Sequence, residues 1–181
     1  MFLDLIERRR SIRKYANRPV EKEKTDQLLE AALRAPSSMG SSPWDFVVVT
    51  RSDLMEGLSR AKAYGSAFLK GAPLGIVVCG DPNRSQVWVE DCAIASIYIH
   101  LAASDLGLGS CWVQIRKRMH DEGTTAEAYI SRLLQLPESL KVLSVVGIGY
   151  PAEKKPAHPK DTLLYNRIHG DRYGGPMEAD P

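Results

Sequence analysis

Cysteine is scarce in this chain. Cys79, Cys92 and Cys111 are odd in number and widely spaced, and no Cys-x-x-Cys pair occurs. His100, His120, His158 and His169 show no metal-ligand spacing either. A disulfide framework and a structural zinc site are therefore excluded, no bound metal is expected, and the three thiols read as core fillers in a reduced, cytoplasmic setting. Long apolar runs are lacking too, since no stretch reaches the roughly 18 uncharged residues of a membrane helix. The opening "MFLDLIERRRSIRK" places its charges after its apolar residues, the reverse of a secretion signal, so the sequon Asn83-Arg84-Ser85 carries no expectation of glycosylation. A net charge of only +2 argues against a general nucleic-acid role. Arg8–Lys14 has neither interleaved exposed aromatics nor a second basic patch near by in sequence. No Ser/His/Asp or Cys/His spacing marks a nucleophile belonging to the protein.

What is present is an ordinary globular composition, 44% apolar and 25% charged over 181 residues, enough for one domain with a real core. Helical spacing predicts segments at 2–10, at 21–35 (closed by Pro36), at 53–70, at 85–107 and near 125–135. The runs "FVVVT", "GIVVC", "SCWVQIR" and "VLSVVGIGY" predict four strands. The first two lack alternation, which predicts strands covered on both faces. Residues 92–103 are apolar nearly all round with several small side chains, as in a central helix or a subunit interface. Helices interleaved with these strands predict an α/β or α+β layered sandwich.

One motif misleads. Gly147-Ile-Gly149-Tyr-Pro-Ala152 follows a strand and matches a dinucleotide fingerprint, but "PAEKKPAHPK" comes next, and no helix survives prolines at that spacing. Two other stretches hold more. "RRRSIRKY" (8–15) reads either as a solvated helix end or as an anion site, because arginine forks match phosphate and the serine adds a neutral partner. "APSSMGSSPWDFVVV" (35–49) reads either as a linker or as a loop presenting binding groups before a core strand.

Taken in order, "RRSIR", "APSSMGSSPWDFVVV", "LGLGSCWV" and "GIGYPAEKKPAHPK" resemble the nitroreductase family of flavin mononucleotide (FMN) enzymes, over almost the whole chain to Tyr173. The resemblance implies an α+β layered sandwich, a central mixed or antiparallel sheet flanked by helices, in an intertwined homodimer with FMN at the interface. It implies one FMN-binding domain over residues 1–173; the tail "GGPMEADP" over 174–181 reads from its own composition as disordered. Arg9, Arg10 and Ser11 match the positions that bind the phosphate and ribityl end, and Arg13 the position approaching the pyrimidine edge. A cation there would stabilise the negative charge that reduction leaves on the flavin. Pro36, Ser37, Ser38, Met39 and Gly40 match the loop that the partner subunit lays along the flavin, where small side chains permit close approach. Gly40 and Ser42 stand where Asn and Gln are common, which removes two amide side chains, and Trp44 reads as packing.

Trp112, Val113 and Gln114 match the segment beside flavin N5, where a backbone N–H would need no particular side chain. Trp112 and Gln114 equally fit a role in shaping the substrate pocket. Gly149 shapes the turn towards the cofactor, and Lys160 is the best match to the basic residue closing on the phosphate, with Lys154 and Lys155 as alternatives. The implied activity is reduction of a small organic acceptor, nitroaromatic or quinone, by NADH or NADPH through a ping-pong hydride mechanism. Dehalogenation, flavin fragmentation and a non-catalytic flavin-carrying module are the rival readings, and "IRKRMHDEGTTAEAY" is the one candidate lid.

Overall fold

Four apolar runs pair into a single sheet in the computed structural model, which describes residues 1–176. The strands are β1 (Trp44–Val49), β2 (Leu74–Gly80), β3 (Gly109–Gln114) and β4 (Lys141–Gly149). Their order is β1-β2-β4-β3, with every pairing between named strands antiparallel. All of β2 and all of β4 but Lys141 are buried. Successive side chains of a strand point to opposite faces. Accordingly, Ile76, Val78 and Val146 join one core cluster with Leu28 and Ile99, while Val77, Cys79 and Val145 join another with Met55, Leu58 and Ile130.

Helices supply both covers. On one face lie α2 (Lys22–Leu33) and α4 (Trp88–Asp105); on the other lie α3 (Ser52–Ser59) and α5 (Ala126–Leu134). This two-sided burial explains the missing alternation in an antiparallel sheet. The expectation needs one correction: β1 is an edge strand and is only partly covered, with Val48 38% exposed.

Helix bounds also differ from the expected ones, by one to three residues at the ends of α2 and α4 and more tellingly at two other segments. The segment at 53–70 is not one helix. After α3 the chain bends, Gly65 takes a φ of +81°, and Ser66 donates its hydroxyl to the Ser59 carbonyl at 2.8 Å before a 3₁₀ turn at Ala67–Gly71. A side-chain hydrogen bond of this kind offers the backbone an alternative to the helix. The first helix, α1 (Phe2–Arg8), stops two residues early because Arg9 is extended, so "RRSIR" leaves the helix altogether. By contrast α5 falls within its expected span, capped by the Thr125 hydroxyl, which accepts the Ala128 N–H at 3.1 Å. Residues 177–181 of the expected disordered tail lie outside the described residues. Before them, Gly175 donates its N–H to the Arg172 carbonyl at 2.8 Å.

The arm that follows α1 crosses the ends of β3 and β4, where Gly109 and Gly149 face each other. Neither glycine has room for a side chain. A Cβ on Gly149 would stand 2.6 Å from Pro73 Cδ and 3.0 Å from Tyr15 Cδ1, and one on Gly109 2.8 Å from Ile12 Cβ. Gly149→Ala is expected to cost about 1–3 kcal/mol by overpacking, read as a lower urea midpoint at unchanged slope. Gly71→Ala, where nothing lies within 4 Å, is the control and should leave the midpoint in place.

Candidate cofactor site

Backbone and side-chain hydrogen bonds together fix the arm at 9–16. Ile12 donates its N–H to the Ser110 carbonyl at 3.0 Å and Ala16 to Tyr150 at 2.8 Å, while Ala152 donates to Lys14 at 2.9 Å. The Tyr15 hydroxyl lies 2.6 Å from the Ile12 carbonyl and 2.9 Å from that of Gly147, and burial pushes its pKa far above the usual value. Glu153 Oε1 accepts the N–H of Arg13 at 2.6 Å and that of Lys14 at 3.2 Å. The Arg13 N–H is the main influence holding the Glu153 carboxyl below its ordinary range. Across the same joint Lys155 donates to the Ser11 carbonyl at 2.9 Å, and Arg10 donates to that of Pro156.

The result is a cleft of about 190 Å³. Arg8, Arg9 and Arg10 form one wall, Gly109 and Ser110 the floor, and Pro151, Lys154 and Lys155 the other wall. Five cations thus surround a space that contains one carboxylate, Glu153, already engaged with two N–H groups and with Lys155 at 3.3 Å. Behind the floor, Ser110 Oγ lies 2.7 Å from Nδ1 of buried His100. Burial, and secondarily the charge of Arg9, lowers the His100 pKa to about 4, so the imidazole is neutral at pH 7.

From this cleft β3 runs along the open edge of the sheet, covered by the arm only at Ser110. An edge strand presents alternate backbone groups outward. Val113 is buried in the core, Trp112 donates its indole N–H to Gln114 Oε1 at 3.0 Å, and Gln114 donates to the Arg116 carbonyl at 2.9 Å. Burial raises the Cys111 thiol above its usual pKa and pushes Cys79 and Cys92 to about 12. All three are free, buried thiols, as expected of core fillers.

The serine loop stands elsewhere. Ser38 donates its N–H to Asp91 Oδ1 at 2.8 Å, Ser85 donates its hydroxyl to Asp91 Oδ2 at 2.8 Å, and Ser42 donates its N–H to Ser37 Oγ at 2.9 Å. Met39, Gly40 and Ser42 have φ of 53°, 66° and 43°, so the backbone turns sharply and leaves Pro36, Ser38, Met39 and Gly40 exposed. Ser41 Oγ is buried there with no hydrogen-bond partner. None of these residues lines the arginine cleft of its own chain. Lys160 lies outside it too, on the exposed 3₁₀ turn Lys160–Thr162, while Gly149 ends β4 just before the Pro151 wall.

Thus Arg9, Arg10 and Ser11 meet the β3 and post-β4 segments in one chain, whereas the residues at 36–40 and Lys160 do not join them. Sequence reasoning missed Glu153, His100 and Asp91. The last two carried a signal, being polar residues inside an otherwise apolar helical run. Among the described residues no three His, Cys, Asp or Glu side chains cluster to hold a metal ion. The donor set suits a phosphorylated organic ligand: guanidinium and ammonium groups for the phosphate, hydroxyls for a polyol, and an open strand edge for a flat polar ring.

Fold and site together define a class, an α+β sandwich with a cation-lined cleft at the end of an edge strand. The Nitroreductase family model matches residues 6–71 and 57–150, so the chain belongs to the nitroreductase family. An FMN-dependent nitroreductase from Clostridium difficile R20291 superposes with a TM-score of 0.92 at 44% identity, covering 94% of this chain and 99% of that one. An NADH dehydrogenase of Thermus thermophilus is 42% identical over 189 residues, 89% of this chain and 91% of its own. An FMN reductase [NAD(P)H] of Bacillus subtilis is 29% identical over 184 residues, 88% of this chain and 71% of its own.

Because the His100 pKa falls from 6.5 to about 4 on folding, the buried neutral ring stabilises the fold above pH 6.5. That stability is lost as pH drops through the folded value, on the order of 3 kcal/mol at full protonation. His100→Gln keeps a partner for Ser110 and should flatten the decline in urea stability between pH 6.5 and 4. An unchanged slope would remove His100 as its source.

Proposed function

We propose that the chain is an FMN-dependent NAD(P)H oxidoreductase that reduces a small organic acceptor, nitroaromatic or quinone, in a ping-pong cycle. The carrying observation is that three segments distant in sequence converge on one cation-lined cleft at the end of an open edge strand. When bound, FMN would supply two-electron redox chemistry between reduced nicotinamide and the acceptor.

Arg9, Arg10 and Ser11 bind the phosphate and ribityl end, with Lys154 and Lys155 as the opposing cations and Lys160 the alternative. Arg13 is exposed and its guanidinium forms no ion pair among the described residues. It is therefore free to face the pyrimidine edge, where a cation stabilises developing negative charge. Backbone N–H groups of Val113 or Gln114 serve the N5 side, with Trp112 beside them. No side chain of the protein acts as acid, base or nucleophile.

The acting unit is a cytoplasmic homodimer of single domains spanning 1–173, in which Pro36–Gly40 of the partner subunit complete each site. Three features support this. The loop stands off its own cleft, that cleft is small, and an apolar surface of Phe2, Leu3, Ile6, Ile94, Ile97 and Tyr98 is exposed on α1 and α4. No helix among the described residues is long and apolar enough to cross a membrane.

The first test is an absorption spectrum of the purified protein before and after anaerobic NADH and NADPH. Flavin bands that bleach are expected; no flavin after reconstitution with FMN overturns the proposal. Arg9→Ala should remain folded and bind FMN about ten- to a hundredfold more weakly, the worth of a charge-assisted hydrogen bond. Arg13→Ala should retain more flavin but be reduced more slowly. Normal flavin content and reduction in both variants would sink the assignment.

A further inference from the structure

At the far end of β3 from the arginine cleft lies a second cavity, of about 360 Å³, lined by Lys62, Ala63, Tyr64, Gln114, Arg118 and Met119. Ser110 and Gln114 are four residues apart on one strand, so the two sites are roughly 13 Å apart along it. Two cations face this cavity, and among the described residues neither forms an ion pair. Burial, and then the nearby Arg118 charge, lowers the Lys62 pKa. Two like charges brought together without a carboxylate are unfavourable until an anion arrives.

The remaining walls suit a ring. Tyr64 is 88% exposed and Met119 51%, offering an aromatic face and a polarizable thioether to whatever enters. The walls are also tied in place. Arg118 donates its N–H to the Ile115 carbonyl at 3.0 Å in a turn where Lys117 has a φ of 58°, and its own carbonyl accepts the Ala126 N–H at 2.9 Å. Next to it His120 stacks on Tyr129 with centroids 4.0 Å apart, and its Nδ1 lies 2.9 Å from the Arg60 carbonyl. That contact joins the 118–120 wall to the segment carrying Lys62 and Tyr64. The stretch "IRKRMHDEGTTAEAY" is therefore a braced wall in this structure.

We propose that this cavity is the substrate subsite of the FMN centre and selects planar molecules bearing an anionic group, held by Lys62 and Arg118 while Tyr64 and Met119 cover the ring. The inference rests on the FMN reading above. The anion has two sources, a carboxylate on the acceptor or the 2′-phosphate of NADPH, and both are recognised by the same cation pair.

The test uses FMN-loaded protein. Equilibrium titrations of the oxidised holoprotein compare 4-nitrobenzoate with neutral nitrobenzene, and stopped-flow reduction compares NADPH with NADH, in the native protein and in the double variant Lys62→Gln, Arg118→Gln. We expect the native protein to prefer the charged member of one pair by about ten- to a hundredfold. That preference should fade with salt and vanish in the variant. A preference for nitrobenzoate assigns the anion to the acceptor; one for NADPH assigns it to the nucleotide. Holoprotein that is reduced normally yet shows neither preference overturns the subsite alone. Failure to bind FMN at all removes the FMN reading and this inference with it.

Discussion

The crossing of the arm at 11–16 over the ends of β3 and β4 is the constraint on which the site depends. This segment has no helix or sheet of its own to satisfy its backbone, so its N–H and carbonyl groups are distributed among Ser110, Tyr150, Ala152 and Glu153. Buried backbone groups left unpaired would be costly. Satisfying them here places the three consecutive arginines at the cleft largely through the main chain, to which the Arg10 side chain adds one tie, to the Pro156 carbonyl. The Gly109–Gly149 pair makes the crossing possible, because Ile12 and Tyr15 occupy the space that side chains would need.

That arrangement separates position from charge. Cations gathered around the cleft repel one another, and the sole acid lining it among the described residues, Glu153, is committed to holding the arm. A protonated His100 behind the floor would add to that repulsion. Its burial against Ser110 keeps it neutral at pH 7 and preserves the cleft's charge for a ligand. Asp91 has a corresponding place at the serine loop, where a buried carboxylate receives the Ser38 N–H and the Ser85 hydroxyl and anchors the sharply turning backbone to α4.

Much of the fold was legible because burial leaves a pattern. Four apolar runs became four strands, and the prolines after Gly149 excluded a dinucleotide turn there. Strand order and the edge position of β1 were not legible, since pairing is decided by partners distant in sequence. The break after Ser59 depended on Gly65 and Ser66 acting together in a stretch whose helical spacing otherwise continues. Of the site, "RRSIR" and the post-β4 lysines were visible as charge, and the structure brings Lys154 and Lys155 to the cleft while Lys160 stands apart. Glu153 was invisible because its role is to accept two backbone N–H groups, and a single glutamate among lysines carries no trace of that.

The edge strand β3 links these features into one working surface. Its first residues meet the arm and the cation cleft, and its last residue, Gln114, meets the second cation pair. An edge strand normally risks pairing with another chain; here bulky Trp112 and the charges at both ends make it a poor template for a further strand. The same exposure leaves backbone donors available to a flat ring without committing any side chain to chemistry. What flanks that edge differs at its two ends, cations at one and a braced cation–aromatic pocket at the other. Changes at 60–64 and 117–120 would alter that pocket and leave the cleft in place, because none of the hydrogen bonds that fix the cleft involves those residues.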